Sequence, residues 1–143
     1  MTTKTVMKSL KSNKMSIIRI APVCGGKIYM TPNKELPIEE EVEHVDEKSD
    51  KKARKVLEKY LQHIHTDATP RFCVKHRSAT YKGATIYLYV LPLQTEEEIG
   101  FQGGKFVTEE EMEQDGHRYS ADLQKESGLL FMAAELWEDF YRQ

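Results

Sequence analysis

The clearest periodic pattern in the chain is an apolar stripe that follows an acidic segment. Its spacing of i, i+3, i+4, i+7, i+8 and i+11 predicts an amphipathic helix with a buried side made of Ala53, Val56, Leu57, Tyr60, Leu61 and Ile64. Ser49 is a favourable N-cap, and Asp50 lies in the first turn, where the helix dipole favours an anion. The sequence therefore predicts a loop and helix unit from Glu35 to Thr66, closed by Pro70.

Two other stretches have the pattern of β-structure. Residues 16–29, SIIRIAPVCGGKIY, contain Gly25 and Gly26 between apolar runs, which predicts a hairpin because both turn residues can adopt positive φ. Residues 71–93 form a second β unit that turns at residues 81–83. Its second run is apolar on both faces, so we expect a central buried strand, with one face formed by Ile86, Leu88 and Val90. We expect the first helix to pack its stripe against a mixed sheet that contains these three residues.

The last third of the chain predicts a short strand and two helices. Residues 101–107 form the strand, Thr108 and Glu111 form a capping box at the start of a helix, and Gly116 ends that helix. From about Ser120 to Tyr141 a second amphipathic helix has a stripe of Leu123, Leu129, Met132, Ala133, Leu136, Trp137 and Phe140. The order of elements predicts an α+β fold in which a mixed β-sheet is sandwiched between helices.

Composition narrows the class of protein. With 143 residues and a net charge of −2, the chain is large enough for one domain with a real core, and its charge favours no nucleic-acid polymer. Residues 1–15 lack the apolar run of a signal peptide, so we expect a flexible tail there and a single domain over residues 16–143. Cys24 and Cys73 form no CxxC motif and fit a reducing cytoplasm. No apolar run approaches the roughly 18 residues of a membrane span, so we expect a cytoplasmic protein without a membrane partner.

Three segments, together with the order of elements, resemble the Nudix (MutT-like) hydrolase superfamily. ELPIEEEVE lies where members carry an LPGG-type loop, ARKVLEKY lies where they carry the helix of the Nudix box, G-x5-E-x7-R-E-U-x-E-E-x-G-U, and GKFVTEEEMEQ is similar to a late strand and short helix of many members. The resemblance covers almost everything from Ser16 onwards and implies a Nudix-like α/β/α sandwich. Members typically hydrolyse a nucleoside diphosphate linked to another group, with Mg²⁺ held by the glutamates of the box.

The Nudix box of this chain is degenerate. With Arg54 in the place of the box arginine, Glu58 matches the first of the paired glutamates, whereas Lys55 and Lys59 stand where metal-binding glutamates belong. Mg²⁺ prefers carboxylate oxygens and water, and ammonium groups repel it. The resemblance thus implies Arg54 and Glu58 as catalytic positions, with hydrolysis impaired. An ammonium group at Lys55 or Lys59 could instead hold a phosphate directly, as a point charge.

Two functions from different classes remain open. The first is a Nudix-fold protein that binds a nucleotide or another phosphorylated small molecule through the cations just named. The second is an active Mg²⁺-dependent pyrophosphohydrolase in which Glu58 shares the metal with carboxylates of the acidic segment, taken from Glu39, Glu40, Glu41 or Glu43. The second function requires at least three carboxylates near Glu58, and the first does not. A homodimer whose interface matters more than any pocket is a third alternative.

Overall fold

The computed structural model describes residues 15–43, 49–81 and 83–141, and its central feature is a six-stranded mixed sheet. The strands are β1 (Ser16–Cys24), β2 (Lys27–Met30), β3 (Ile38–Val42), β4 (Arg71–Arg77), β5 (Thr85–Pro92) and β6 (Lys105–Val107). They follow the order β4-β5-β1-β2-β6, and β3 pairs with β1. β1 and β5 are parallel, and the other pairs are antiparallel. The helices are α1 (Ser49–Glu58), α2 (Glu109–Gln114) and α3 (Ala121–Leu136). The predicted α+β fold with a mixed sheet is confirmed.

The predicted Gly-Gly turn and the predicted capping box are confirmed, whereas Ser49, the predicted N-cap of α1, is the first residue of that helix. Gly25 and Gly26 have φ values of 59° and 78° and join β1 to β2 in an antiparallel hairpin. Thr108 caps α2, and Glu111 completes the capping box. α2 is followed by a short 3-10 turn, Gly116–Arg118. None of the helices in the described part of the chain combines the length and apolar character of a membrane-spanning helix.

The sheet separates two apolar layers, and β5 contributes side chains to both of them. Ile86, Leu88 and Val90 pack in the layer of α3, whereas α1 packs on the opposite face, in a layer that includes Tyr87 and Tyr89. Side chains of a strand alternate between its two faces. Because β5 is apolar on both faces and lies between β4 and β1, its own pattern does not indicate which helix covers which face.

α1 is shorter than its apolar stripe predicts. The helix ends at Glu58, and backbone hydrogen bonds then join residues three apart, as from the Tyr60 nitrogen to the Leu57 oxygen at 2.8 Å. This tighter winding changes the period from 3.6 to about 3 residues per turn. As a result Leu61 rotates out of the stripe and is 45% exposed, while Ile64 is buried and bridges to Ile99.

α3 starts where the sequence predicts, but its buried face differs. The Ser120 side chain accepts a hydrogen bond from the Leu123 nitrogen, as expected of an N-cap. Leu129, Met132, Leu136 and Phe140 are exposed, to 53% for Met132 and 72% for Phe140. Leu123 and Ala133 of the predicted stripe are buried, and the rest of the buried face consists of Asp122, Glu126, Leu130, Phe131 and Ala134. The apolar stripe did not predict this face fully, because two of its buried residues, Asp122 and Glu126, are acidic.

Several predictions fall on residues outside the described ranges. The tail predicted over residues 1–15 is described only at its last residue, Met15, whose oxygen accepts a hydrogen bond from the Thr85 nitrogen. The segment between β3 and α1, residues 44–48, contains the rest of the predicted acidic loop and is not described. The same holds for Lys82 in the turn between β4 and β5.

Candidate functional site

The basic and acidic box positions of α1 lie on its solvent side. Arg54, Lys55 and Glu58 are exposed, while Ala53, Val56 and Leu57 face the sheet. Within the described ranges, neither Arg54 nor Lys55 forms an ion pair. The helix therefore presents two cations that can meet a ligand from solvent.

Lys59 has a different environment from Lys55. It lies just beyond the end of α1, and its ammonium group contacts the carboxylate of Glu40 on β3. The side chain of Lys59 is mostly exposed, so this pair contributes little to stability. A ligand phosphate at Lys59 would compete with Glu40, whereas one at Lys55 meets no such competitor among the described residues.

The predicted metal ligands are divided between the two faces of β3. Glu40 faces α1, as its contact with Lys59 demonstrates, while Glu39 faces α3 and binds Arg19. Alternation along the strand puts Glu41 on the face of Glu39, away from α1 and Glu58. Glu43 is exposed one residue beyond the strand. Glu58, Glu41 and Glu43 are thus not brought together.

The described residues do not fit the Mg²⁺ that a Nudix-type enzyme requires. In residues 15–43, 49–81 and 83–141, no three His, Cys, Asp or Glu side chains converge in a way that could hold a metal ion. Mg²⁺ needs oxygen ligands in near-octahedral geometry. Metal binding at Glu58, with or without carboxylates from the segment between β3 and α1, stays a prediction.

A cluster that the sequence did not predict lies on the other side of the sheet, under α3. Arg19 of β1 is buried, and its Nη1 lies 2.5 Å from Oε2 of Glu126. Its Nε lies 2.6 Å from Oε1 of Glu39, and its Nη2 lies 3.6 Å from Oδ2 of Asp122. His76 Nε2 of β4 lies 2.6 Å from the same Glu126 oxygen. One guanidinium group therefore ties β1, β3 and α3 together.

Asp122 also holds the loop between β4 and β5. The Ala79 nitrogen donates to its Oδ1 at 2.6 Å, and the Ser78 hydroxyl donates to its Oδ2 at 2.8 Å. Ser78 Oγ in turn accepts hydrogen bonds from the nitrogens of Thr80 and Tyr81. Asp122 thus has partners of its own, independent of Arg19.

The buried charges perturb each other's pKa values in different directions. Burial disfavours the charge of Asp122, but the hydrogen bonds from Ala79 and Ser78 and the charge of Arg19 together lower the pKa of Asp122. Burial raises the pKa of the Glu126 carboxyl, and Arg19 and His76 offset only part of that effect. Oε1 of Glu126 is buried and has no hydrogen-bond partner among the described residues. Burial alone would lower the pKa of Arg19, but its carboxylate neighbours raise that pKa above the ordinary value.

A cleft of about 360 Å³ opens beside this cluster. Its wall is formed by β1, the loop before β3, the loop after β4 and the start of α3, through Arg19, Thr31, Asn33, Glu35, Leu36, Pro37, Glu39, Thr80, Tyr81, Ser120, Asp122 and Leu123. The Tyr81 hydroxyl lies 3.4 Å from Oε2 of Glu39, and the negative charge of Glu39 raises the pKa of Tyr81. Convergent polar groups with perturbed pKa values in a concavity are typical of functional sites and also of structural ion-pair networks.

The sequence did contain a signal for this cluster. Arg19 interrupts an apolar strand that is buried along its whole length, and a buried arginine requires paired carboxylates. Asp122 and Glu126 are four residues apart, so they lie on one face of α3 next to Leu123 and Leu130. An arginine inside an apolar strand and a pair of acids on the apolar side of a helix together predict a buried ionic contact.

Comparison with known proteins supports the fold and leaves the family open. No family model and no curated protein sequence matches the chain. Among solved structures, a "putative Nudix hydrolase", Tm1382, matches over 84% of this chain and 71% of its own, with 15% identity and a TM-score of 0.56. DR0079 from Deinococcus radiodurans matches over 94% of this chain and 86% of its own, with 15% identity and a TM-score of 0.50.

A third solved structure shows that the same fold occurs within a longer protein. A "putative oxidoreductase" from Sinorhizobium meliloti 1021, SMa0793, matches over 92% of this chain, with 16% identity and a TM-score of 0.58. This chain spans only 44% of the length of that protein. At such identities the likeness establishes a shared fold and carries no activity from one protein to another.

Proposed function

We propose that this Nudix-fold protein binds a nucleotide or another phosphorylated small molecule at the exposed side of α1 without hydrolysing it. Arg54 and Lys55 contact the phosphate, and Lys59 joins them when Glu40 releases it. The observation that carries the proposal is the presence of Arg54 and Lys55 on the solvent side of the box helix, with no ion pair to any described residue.

The charge balance of α1 supports an anionic ligand. The helix contains four basic side chains, including Arg54 and Lys55, and only two acidic ones, Asp50 and Glu58. Asp50 is engaged at the start of the helix, where its Oδ1 lies 2.9 Å from the Tyr89 hydroxyl. Arginine binds phosphate through a planar fork of donors, and lysine adds a compact charge beside it.

The loss of hydrolysis follows from the distribution of carboxylates. A Mg²⁺-dependent reaction needs several acidic ligands around one point, and β3 directs Glu40 and Glu41 to opposite faces of the sheet. Glu40 already contacts Lys59. Among the described residues, Glu58 then has cations as its neighbours on α1 and belongs to no cluster of carboxylates, which is a poor setting for a doubly charged metal ion.

Calorimetric titration with ADP in the presence of a metal chelator tests the proposal. We expect saturable binding without metal, and we expect the double change Arg54→Gln, Lys55→Gln to weaken it at least about 10-fold, because two charge-assisted contacts are lost. The matched control is Arg118→Gln, Lys125→Gln, which removes two exposed basic charges away from α1 and should leave binding unchanged. Equal weakening by both double changes would mean that ADP senses only the net charge of the protein.

Incubation of ADP-ribose with the protein and Mg²⁺ tests the second half of the proposal. Chromatography should find the compound intact. Release of AMP and ribose 5-phosphate that disappears in a Glu58→Gln variant would instead establish the alternative function, an active Mg²⁺-dependent pyrophosphohydrolase.

A further inference from the structure

A second cleft lies at the carboxyl end of β5. It measures about 830 Å³ and is lined by the end of β5, the segment before β4 and the turn after α3, through His65, Thr66, Asp67, Ala68, Thr69, Arg71, Pro92, Leu93, Gln94, Thr95, Glu98, Trp137 and Tyr141. Cavities of roughly 300–1,000 Å³ hold most small-molecule ligands. No residue of α1 belongs to its wall, so it is separate from the proposed phosphate site.

One wall of this cleft is an aromatic surface held open to solvent. The rings of Trp137 and Tyr141 are nearly parallel, with an interplanar angle of 10° and a centroid distance of 5.4 Å. Phe72 packs edge-on against Tyr141 at 5.6 Å and fixes that ring on the sheet. Tyr141 nevertheless stays 60% exposed. Fixed, exposed aromatic rings are surfaces on which flat heteroaromatic rings stack.

A backbone irregularity in β4 positions Arg71, a basic residue that lines this cleft. The register of β4 against β5 shifts between Arg71 and Val74, and Phe72 has a φ of 58°. A bulky residue in the left-handed region is strained, and bulges of this kind redirect side chains beside functional sites. Here the guanidinium group of Arg71 lies over the ring of Trp137, 5.7 Å from its centroid.

Arg71 has no acidic partner among the residues that the structure describes. Arg71 forms no ion pair with any residue in the described ranges, although it lies at the mouth of a polar cleft. An arginine that stacks on an aromatic ring keeps the edge of its guanidinium group free for a carboxylate or a phosphate. Across the cleft, Asp67 and Thr69 provide acceptors for polar hydrogens of a ligand.

We propose that this cleft binds a flat heteroaromatic ring that bears an anionic group, such as a nucleoside monophosphate. The ring stacks on Tyr141 beside Trp137, and the anionic group contacts Arg71. The site is independent of the phosphate site proposed on α1, because the two share no residue.

The test uses the fluorescence of Trp137, which is the single tryptophan of the chain. Adenosine monophosphate and adenosine are titrated into the full-length protein, with excitation at a wavelength that nucleobases do not absorb. We expect saturable quenching by both compounds, with tighter binding of adenosine monophosphate. Tyr141→Ala should lower the affinity for both by about 5-fold to 100-fold, the range of a stacking contribution. Arg71→Gln should weaken only adenosine monophosphate.

Two controls separate this site from other effects. Phe140→Ala removes a more exposed aromatic neighbour that does not line the cleft, and it should leave both affinities unchanged. Arg54→Gln, Lys55→Gln should also leave the quenching unchanged, whether or not ADP binds at α1. The proposal is overturned by an absence of saturable quenching in the millimolar range, by unaltered affinity in Tyr141→Ala, or by loss of quenching in the α1 variant.

Discussion

Replacement of Arg19 by methionine should be among the most destabilising single changes in this protein. Methionine preserves much of the length of the side chain within the apolar strand β1 but removes the guanidinium group. Arg19 is buried, and its charge faces three carboxylates, those of Glu39, Asp122 and Glu126. Removal of one partner from a buried ion pair typically costs about 3–5 kcal/mol, because the other charge stays buried and unpaired.

The loss of Arg19 would destabilise the three carboxylates to different extents. The side chain of Glu39 is 35% exposed and can be hydrated by solvent. Asp122 keeps its hydrogen bonds from Ala79 and Ser78. Glu126 has no such alternative among the described residues, where its Oε1 lacks a hydrogen-bond partner and its Oε2 would retain only His76. The cost of Arg19→Met should therefore reside mainly in Glu126.

A double-mutant cycle measures the coupling free energy between Arg19 and Glu126. Glu126→Leu alone should be milder than Arg19→Met, because Arg19 keeps Glu39 at 2.6 Å. The double change removes both buried charges together, and apolar replacement of a whole buried pair is often neutral or even stabilising. We expect the double variant to be at least about 2 kcal/mol more stable than Arg19→Met alone. Urea unfolding followed by circular dichroism, with linear extrapolation to water, gives the four free energies of unfolding.

Additivity in this cycle would refute the reasoning. If the free energy of unfolding falls in the double variant by the sum of the two single losses, the unpaired carboxylate of Glu126 is not the source of the destabilisation in Arg19→Met. A cost below about 1 kcal/mol for Arg19→Met would be equally damaging, since it lies far below the range for buried pairs. The exposed change Lys125→Met on α3 serves as the control and should stay within about 0.5 kcal/mol of wild type.

Three further predictions concern the core, pH and metal binding. Leu57→Ala should lower the free energy of unfolding by about 2–5 kcal/mol, because Leu57 is buried. Leu61→Ala should lower it by less than about 1 kcal/mol, because Leu61 is exposed. Similar losses for the two variants in urea unfolding would contradict the observed end of α1. Because burial raises the pKa of Glu126, the stabilising contribution of this group is complete at low pH and is lost as pH rises through the raised pKa. The loss of unfolding free energy in Glu126→Gln, relative to wild type, should therefore be smaller at about pH 8 than at about pH 4, as measured by urea unfolding. A loss that is larger at the higher pH would contradict the expected sign. Lys55→Glu, Lys59→Glu should create Mg²⁺ affinity beside Glu58, measurable by calorimetry; a folded variant without metal binding or altered ADP binding would mean that the two lysines do not face one site.

Much of the fold was predictable because its signals are local. The hairpin at Gly25 and Gly26, the capping box of Thr108 and Glu111 and the N-cap at Ser120 each depend on a few neighbouring residues, and the structure contains all of them. Such signals survive folding because no distant contact is needed to satisfy them. The α+β class followed from the order of these elements.

What the sequence could not predict is decided by contacts between distant residues. The face of β5 that each helix covers depends on partners in β1 and α3, and β5 itself is apolar on both faces. The end of α1 depends on how the chain turns toward Ile64 and its bridge with Ile99. Periodicity within one segment contains no information about such contacts.

The candidate site was predicted in part for the same reason. The exposure of Arg54, Lys55 and Glu58 follows from helical periodicity alone. The acidic run on β3 looked like one surface in sequence, yet a strand of period two sends alternate glutamates to opposite faces. Glu41 and Glu43 are two residues apart, as the period of a strand requires, but β3 places Glu41 on the face away from α1 and Glu58.

Whether an arginine already forms an ion pair affects how readily an anionic ligand can bind to it. Arg19 faces a cleft, but its donors are already engaged by Glu39 and Glu126, so an anionic ligand there must displace a buried carboxylate. The guanidinium groups of Arg54 and Arg71 have no ion pair to displace among the described residues. An anion at those two positions would displace no acidic partner in the described ranges, which is the smaller cost. The ion pairs beside the cleft at Arg19 are therefore better explained by the attachment of α3 to the sheet, and the two proposed ligand sites use cations without an ion pair to any described residue.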